Sequence, residues 1–98
     1  MRHIFVAFIV MLSTVSCGPV QYSVHILRAS AALAQAEESE AEELAPYEFH
    51  YADEHLKQAR REVGHSDFQA AVKCAKVATE YGNKAVEISS RRRREEGR

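Results

Sequence analysis

The chain has no tryptophan and, in 98 residues, only two prolines and four glycines. So few turn-forming residues argue against a β-sandwich or a barrel, which need many tight turns. Much of the apolar content is alanine, the strongest helix former. The sequence therefore predicts an all-α fold. A chain of this length hides only about 60% of the surface of its unfolded form, so we expect one small domain with a marginal core.

Neither sign of charge is in clear excess, since 13 Lys and Arg stand against 14 Asp and Glu. This balance lacks the basic field that nucleic-acid binding requires, and we expect no such partner. The charges are unevenly placed: the segment 37–54 has eight acidic residues and no basic one, whereas 91–94 is all arginine. We interpret these as a solvated acidic helix face and a basic C-terminal tail at 91–98. The alternative is that the tail docks on anionic headgroups or on an acidic partner.

No apolar run is long enough to span a membrane, which takes about 20 residues. The longest, at 4–12, has nine. Arg2 precedes it and small residues follow it, which is the pattern of a cleavable export signal. We therefore predict a signal peptide at 1–16.

The residues Thr14, Val15, Ser16 and Cys17 resemble a bacterial lipobox. The resemblance implies cleavage between Ser16 and Cys17, with a diacylglycerol and an N-acyl lipid on Cys17 and no other cofactor. Gly18 after the cysteine implies sorting to the outer membrane, facing the periplasm. Several acyl chains hold a protein stably on a bilayer. The alternative is an ordinary secretory peptide that leaves Cys17 as a free thiol.

Helical spacing of apolar residues organises the rest of the chain after a tether at 17–28. We predict a helical domain at 29–90, with helices at about 24–44, 47–63 and 67–90. The first helix is rich in alanine and glutamate and only weakly amphipathic. Its apolar positions Val24, Leu27, Ala31 and Ala34 keep helical spacing. We expect this helix either to pack loosely or to stand off as a spacer between lipid and domain.

Turn signals separate the second and third helices. Pro46 suits the first turn of the second helix, and Gly64 suits its end. Ser66 and Gln69 form a predicted capping box at the start of the third. So short a turn makes an antiparallel hairpin that resembles one tetratricopeptide-type repeat. A lone hairpin cannot bury its apolar face, so the first helix, another copy or a partner must cover it.

Aromatic and basic side chains supply the candidate interaction residues. The tyrosines are interpreted as filling the space between helices, with a recognition patch as the alternative. The full candidate set is Tyr47, Tyr51, Tyr81, Arg91, Arg92, Arg93 and Arg94.

Catalytic and metal-binding patterns are not found. His50 and Glu54 are four residues apart, but two ligands make only a weak site, so no metal is expected. No nucleophile elbow or glycine-rich phosphate loop is present, and we expect neither an enzyme nor a small-molecule substrate. Once Cys17 is acylated, Cys74 is left unpaired. It is interpreted as an apolar filler on a helix, with an intermolecular disulfide as the alternative.

The stretches ELAPYEF at 43–49 and DFQAA at 67–71, with the alanines between and after them, carry a resemblance to a bacterial envelope family. It is the family called domain of unknown function 4398, and the resemblance covers about residues 29–88. It implies an exported protein or lipoprotein. Some members carry a C-terminal peptidoglycan-binding domain of the outer-membrane-protein-A type, which this chain, ending at Arg98, is not expected to have. No catalytic residue is implied.

These observations lead us to expect a non-enzymatic envelope lipoprotein. It would be a lipid-tethered helical module that binds an envelope protein or itself. The alternative is a structural spacer that links the membrane to cell-wall or other anionic polymers through the arginine tail.

Overall fold

The computed structural model describes the backbone of residues 1–12 and 19–97 and the side chains of 1–7 and 21–97. All regular structure within these ranges is α-helical, which confirms the predicted fold class. The helices are α1 (Arg2–Leu12), α2 (Pro19–Glu38), α3 (Ala41–Leu44), α4 (Pro46–Gly64) and α5 (Phe68–Glu96).

The long helices α2, α4 and α5 form a three-helix bundle in which each contacts the other two. The rings of Tyr22 and Phe68 stack with their centroids 5.0 Å apart, so α2 and α5 begin at the same end. The end of α2 meets the end of α5 through a hydrogen bond from Arg93 to Ser39. These two helices are therefore parallel, and α4 runs antiparallel to both. Within the described residues, α1 packs against none of the other helices.

The packing face of α5 is made of very small side chains. Its buried positions recur alternately four and three residues apart: Ala71, Ala75, Ala78, Gly82, Ala85 and Ser89. A mean spacing of 3.5 residues is the coiled-coil repeat, which keeps one face of a helix against its neighbours over several turns. The helices approach closely here, since a Cβ atom added to Gly82 would lie 3.0 Å from the Cβ of Ala32.

The other two long helices follow the same spacing. The buried positions on α4 are Phe49, Ala52, Leu56 and Ala59, preceded by the buried Ala45 just before its first turn. On α2 they are Ala29, Ala32, Leu33 and Ala36. In the described part of the chain, the only buried apolar side chains larger than alanine are Leu33, Phe49 and Leu56. The bundle is therefore stabilised by many small contacts at close range.

The apolar positions that keep helical spacing at the start of α2 do not form its packing face, and α2 packs in the bundle instead of standing off as a spacer. Val24, Leu27, Ala31 and Ala34 are exposed, Leu27 by 69%, and the opposite side of the helix is buried. Alanine lies on every side of α2, so both faces fit helical spacing equally well. The fit of Ala32 against Gly82 selects the face that packs.

The antiparallel hairpin of α4 and α5 is present, and α2 covers its apolar face. Of the three ways left open for covering that face, the first helix is the one observed. The predicted capping box is wrong by one residue, because the Asp67 side chain, not that of Ser66, accepts a hydrogen bond from the Ala70 amide at 3.1 Å. Ser66 instead has the left-handed φ of 60°, and Gly64 stays inside α4.

The boundaries also differ from the predictions at both ends of the bundle. The segment 19–28, predicted as tether, is the first half of α2. The predicted helix at 24–44 is interrupted at Glu40, whose φ of 59° is left-handed, and resumes as the short α3. This break reverses the chain direction between α2 and α4. The predicted tail at 91–98 is helical as far as Glu96, since α5 runs about 43 Å without interruption.

Candidate interaction surface

Three tyrosines and a histidine form a continuous cluster between α4 and α5. The ring centroid of Tyr51 lies 4.2 Å from that of Tyr81, 4.3 Å from that of His55 and 5.8 Å from that of Tyr47. The Nδ1 atom of His55 lies 2.8 Å from the Tyr51 carbonyl oxygen, a hydrogen-bond distance that fixes the imidazole ring against the cluster. We call Tyr47, Tyr51, Tyr81 and His55 the tyrosine surface.

The tyrosine surface is open to solvent to different degrees. The Tyr47 side chain is 66% exposed, whereas Tyr51, Tyr81 and His55 are half-buried. The groove between two helices of a three-helix bundle is open on the side away from the third helix. The tyrosine surface therefore faces away from α2. Each interpretation of the tyrosines fits some of them: Tyr51 and Tyr81 fill the space between two helices, whereas the ring of Tyr47 is exposed to solvent.

Lysine and glutamate border the tyrosine surface. The Nζ atom of Lys84 lies 4.6 Å from the Tyr81 ring centroid, a cation–π distance, and 3.2 Å from a Glu80 carboxylate oxygen. Hydrogen bonding to Glu80 raises the pKa of Lys84, so its ammonium group stays charged at neutral pH. A rigid aromatic cluster with a charged rim is the composition that protein interfaces favour.

The arginine run divides into two structural pairs. Arg93 donates a hydrogen bond of 2.7 Å to the Ser39 carbonyl and lies 3.8 Å from the Glu40 carboxylate. Arg92 donates to the Leu44 carbonyl. These carbonyls lie at the ends of α2 and α3, where helices leave acceptors without intrahelical partners. Arg92 and Arg93 therefore act as caps that the sequence did not reveal.

Arg91 and Arg94 differ from the two capping arginines. Both are exposed, and neither has a hydrogen bond or ion pair with a described residue. Of the four arginines predicted to take part in interactions, these two keep their guanidinium groups available. The end of the bundle that carries them is also rich in glutamate.

The remaining candidate residues fall into two groups. Ser16 and Cys17, predicted to be the cleavage and lipidation sites, lie outside the described residues. Cys74 is a free thiol, half-buried beside α4, and burial raises its pKa. Among the residues that the structure describes, no three His, Cys, Asp or Glu side chains converge as metal ligands, and His50 is exposed.

Helix packing and topology define a class, the small three-helix bundle with a close-packed core of alanine. The chain belongs to the family described as Domain of unknown function (DUF4398), whose sequence profile matches residues 25–98. The match spans all of α3, α4 and α5 and most of α2. No curated protein and no solved structure matches the chain.

None of the described helices combines the length and the apolar character that crossing a bilayer demands.

Proposed function

We propose that the chain is a non-enzymatic lipoprotein of the bacterial cell envelope, anchored through acyl chains on Cys17 at the periplasmic face of the outer membrane. Its bundle binds a protein partner through the tyrosine surface. The observation that carries the proposal is the cluster of Tyr47, Tyr51 and Tyr81 on the side of the bundle away from α2. Large, rigid aromatic rings that are already packed lose little conformational entropy on binding, which is why tyrosine is frequent at binding hot spots.

The helix α1 supports the export part of the proposal. Its side chains Ile4, Phe5 and Val6 are each more than 60% exposed, and no other described helix covers them. A short apolar helix with no place in the bundle is what a removable export signal requires.

Site-specific photocrosslinking in the native host tests the partner. A benzophenone amino acid replaces Tyr47 in the full-length chain, and a control chain carries it at Asn83, which is exposed on α5. We expect a discrete adduct from position 47 and none from position 83. A Tyr81→Ala change in the chain that carries the benzophenone at position 47 should lower the yield of the adduct, because the Tyr81 ring packs against that of Tyr51.

The mass of the adduct distinguishes the kinds of partner. A product of twice the chain mass indicates self-association, and any other mass indicates a different envelope protein. Equal crosslinking at both positions, or at neither, would contradict the proposal. Intact mass of the membrane-extracted protein tests the anchor separately, since residues 17–98 plus acyl chains are expected.

A second candidate function is the spacer that binds anionic polymers through arginine. Arg91 and Arg94 favour it, because their guanidinium groups have no described partner. Arg92 and Arg93 favour it less, since they cap helix ends. The candidate predicts salt-sensitive binding to isolated cell-wall sacculi that an Arg91→Gln and Arg94→Gln chain loses.

A further inference from the structure

The outward face of α2 is apolar along its middle, from Val24 to Ala34. Val24, Leu27, Ala31 and Ala34 follow one another at spacings of three, four and three residues, opposite the buried face, and all are exposed. Val24 is 40% exposed and Leu27 69%. The outermost positions of a bundle helix are normally polar, whereas here they are occupied by apolar side chains. We call these four residues the α2 stripe.

Polarity changes sharply along α2. The segment 19–36 contains no acidic residue, and the α2 stripe lies wholly within it. Acidic residues begin at Glu37 and continue through Glu38, Glu40 and Glu42 at the far end of the bundle. The apolar surface is thus separated from the acidic end of α2, and its first residue, Val24, lies seven positions after Cys17 in the sequence.

Basic side chains border the α2 stripe on both sides. Arg28 lies on α2 beside it, and Arg60 of α4 reaches α2 by donating a hydrogen bond of 3.2 Å to the Ser30 hydroxyl. Both arginines are exposed, and neither forms an ion pair with a described residue. An apolar stripe bordered by free cations is complementary to an anionic lipid surface.

We propose that the α2 stripe rests on the anionic surface of the bilayer, so that the bundle lies along the membrane rather than standing away from it. The inference rests on the proposed lipid anchor at Cys17, which brings this end of the bundle to the bilayer. A second copy of the chain fits less well, because two such stripes would bring Arg28 and its equivalents together with like charge. A bundle held in this way turns the tyrosine surface away from the membrane, towards a partner.

Fluorescence of the reconstituted mature lipoprotein tests the orientation. In a Cys74→Ala background, an environment-sensitive fluorophore is attached at Leu27→Cys. The control carries it at Lys57→Cys, an exposed position on α4 at a similar height in the bundle. Vesicles contain phosphatidylethanolamine and phosphatidylglycerol with a nitroxide-labelled lipid as quencher. We expect several-fold stronger quenching at position 27 than at position 57, with a blue-shifted emission at 27 only.

Charge complementarity is tested in the same assay. An Arg28→Gln and Arg60→Gln chain should lose much of the quenching at position 27 on these anionic vesicles. On phosphatidylcholine vesicles, the same two changes should make no difference. Equal quenching of both chains on anionic vesicles would overturn the part of the proposal that depends on charge.

Each remaining outcome is decisive. Equal quenching at positions 27 and 57 would overturn the proposal while leaving the anchor intact. A blue shift without quenching, together with disulfide-linked dimers of the unlabelled Leu27→Cys chain, would mean that a second copy covers the stripe. An intact mass without acyl chains in the same sample would instead refute the proposed anchor. The intact mass is measured independently of the fluorescence, so failure of the anchor and failure of the membrane orientation can be distinguished.

Discussion

The guanidinium group of Arg93 donates a hydrogen bond to the carbonyl oxygen of Ser39 across 54 positions of sequence. Arg92 does the same for Leu44. Together they hold the turn in which the chain leaves α2, forms α3 and enters α4. A charged run near the end of the chain thus stabilises the connection that closes the bundle.

Loss of the two caps should destabilise the bundle. Hydrogen bonds from a charged donor contribute about 1.5–3 kcal/mol when well shielded and less when exposed, as here. For the Arg92→Ala and Arg93→Ala chain we therefore expect the free energy of unfolding to fall by about 1–2 kcal/mol. Amide hydrogen exchange in residues 40–45 should accelerate with it. Urea denaturation and exchange measure the two effects.

The matched control is the Arg91→Ala and Arg94→Ala chain, which removes the same charge from residues without described partners. We expect its free energy of unfolding to change by no more than about 0.5 kcal/mol. Equal effects of the two double changes would mean that net charge, not capping, determines stability.

Replacement of Gly82 by alanine should destabilise the bundle even though alanine is the better helix former. The gain in helix propensity is about 1 kcal/mol. The added Cβ would lie 3.0 Å from that of Ala32 and 3.3 Å from its carbonyl carbon, so α2 must shift, at a cost of about 1–3 kcal/mol. We expect a net loss of about 1 kcal/mol in thermal or urea unfolding.

Gly64 supplies the comparison for Gly82. It also lies inside a helix, its φ is negative, and a Cβ there would meet nothing within 4 Å. Gly64→Ala should therefore leave stability unchanged or raise it by up to about 1 kcal/mol. A stabilised Gly82→Ala chain would show that α2 and α5 are not tightly packed at this point.

Ser89 is the site at which stability should increase. Its side chain is fully buried, and its Oγ atom has no hydrogen-bond partner among the described residues. An unsatisfied buried hydroxyl costs about 1–3 kcal/mol, and Ser89→Ala also improves helix propensity. We expect a gain of about 1 kcal/mol, which is about 4–8 °C in Tm for a domain of this size. The exposed neighbour Ser90→Ala should shift Tm much less, and a lower Tm for Ser89→Ala would disprove the account.

Cys74 should behave as a poorly reactive thiol. Burial is the main cause that raises its pKa, and the Glu62 carboxylate adds to it, so the thiolate fraction at neutral pH is small. Alkylation of the folded protein should be slower than that of the urea-unfolded chain, with a midpoint in pH above the ordinary thiol value. Stability should fall as the pH rises past the ordinary thiol pKa, because the unfolded chain then releases this proton more readily. A folded-state rate equal to the unfolded rate at every pH would contradict this description.

The hairpin could be predicted from sequence because its signals are local. Pro46 marks its beginning, the polar turn before Phe68 marks the connection between its helices, and the larger side chains of α4 give a clear helical period. The buried face of α2 could not, because alanine gives no contrast between one side of a helix and another. Contacts with the other helices, such as that of Ala32 with Gly82, distinguish the two sides.

Long-range contacts account for the other differences. Nothing local marks Glu40 or Ser66 for a left-handed conformation, which glycine adopts far more readily. The turns at these residues are fixed by the helices they connect. The tyrosine surface can be predicted only in part. The sequence identifies Tyr47, Tyr51 and Tyr81 as candidates, but the contact of Tyr51 with Tyr81 depends on the register of α4 against α5. The capping arginines had no local signal.

The parallel arrangement of α2 and α5 has a mechanical consequence. A force that pulls residue 19 away from residue 97 acts at opposite ends of this helix pair and loads their contact in shear. The small side chains along the seam must then all slide together, whereas an antiparallel pair pulled from one end would separate one contact at a time. Close packing such as that of Gly82 against Ala32 opposes sliding most strongly. The bundle should therefore extend little under tension along its axis.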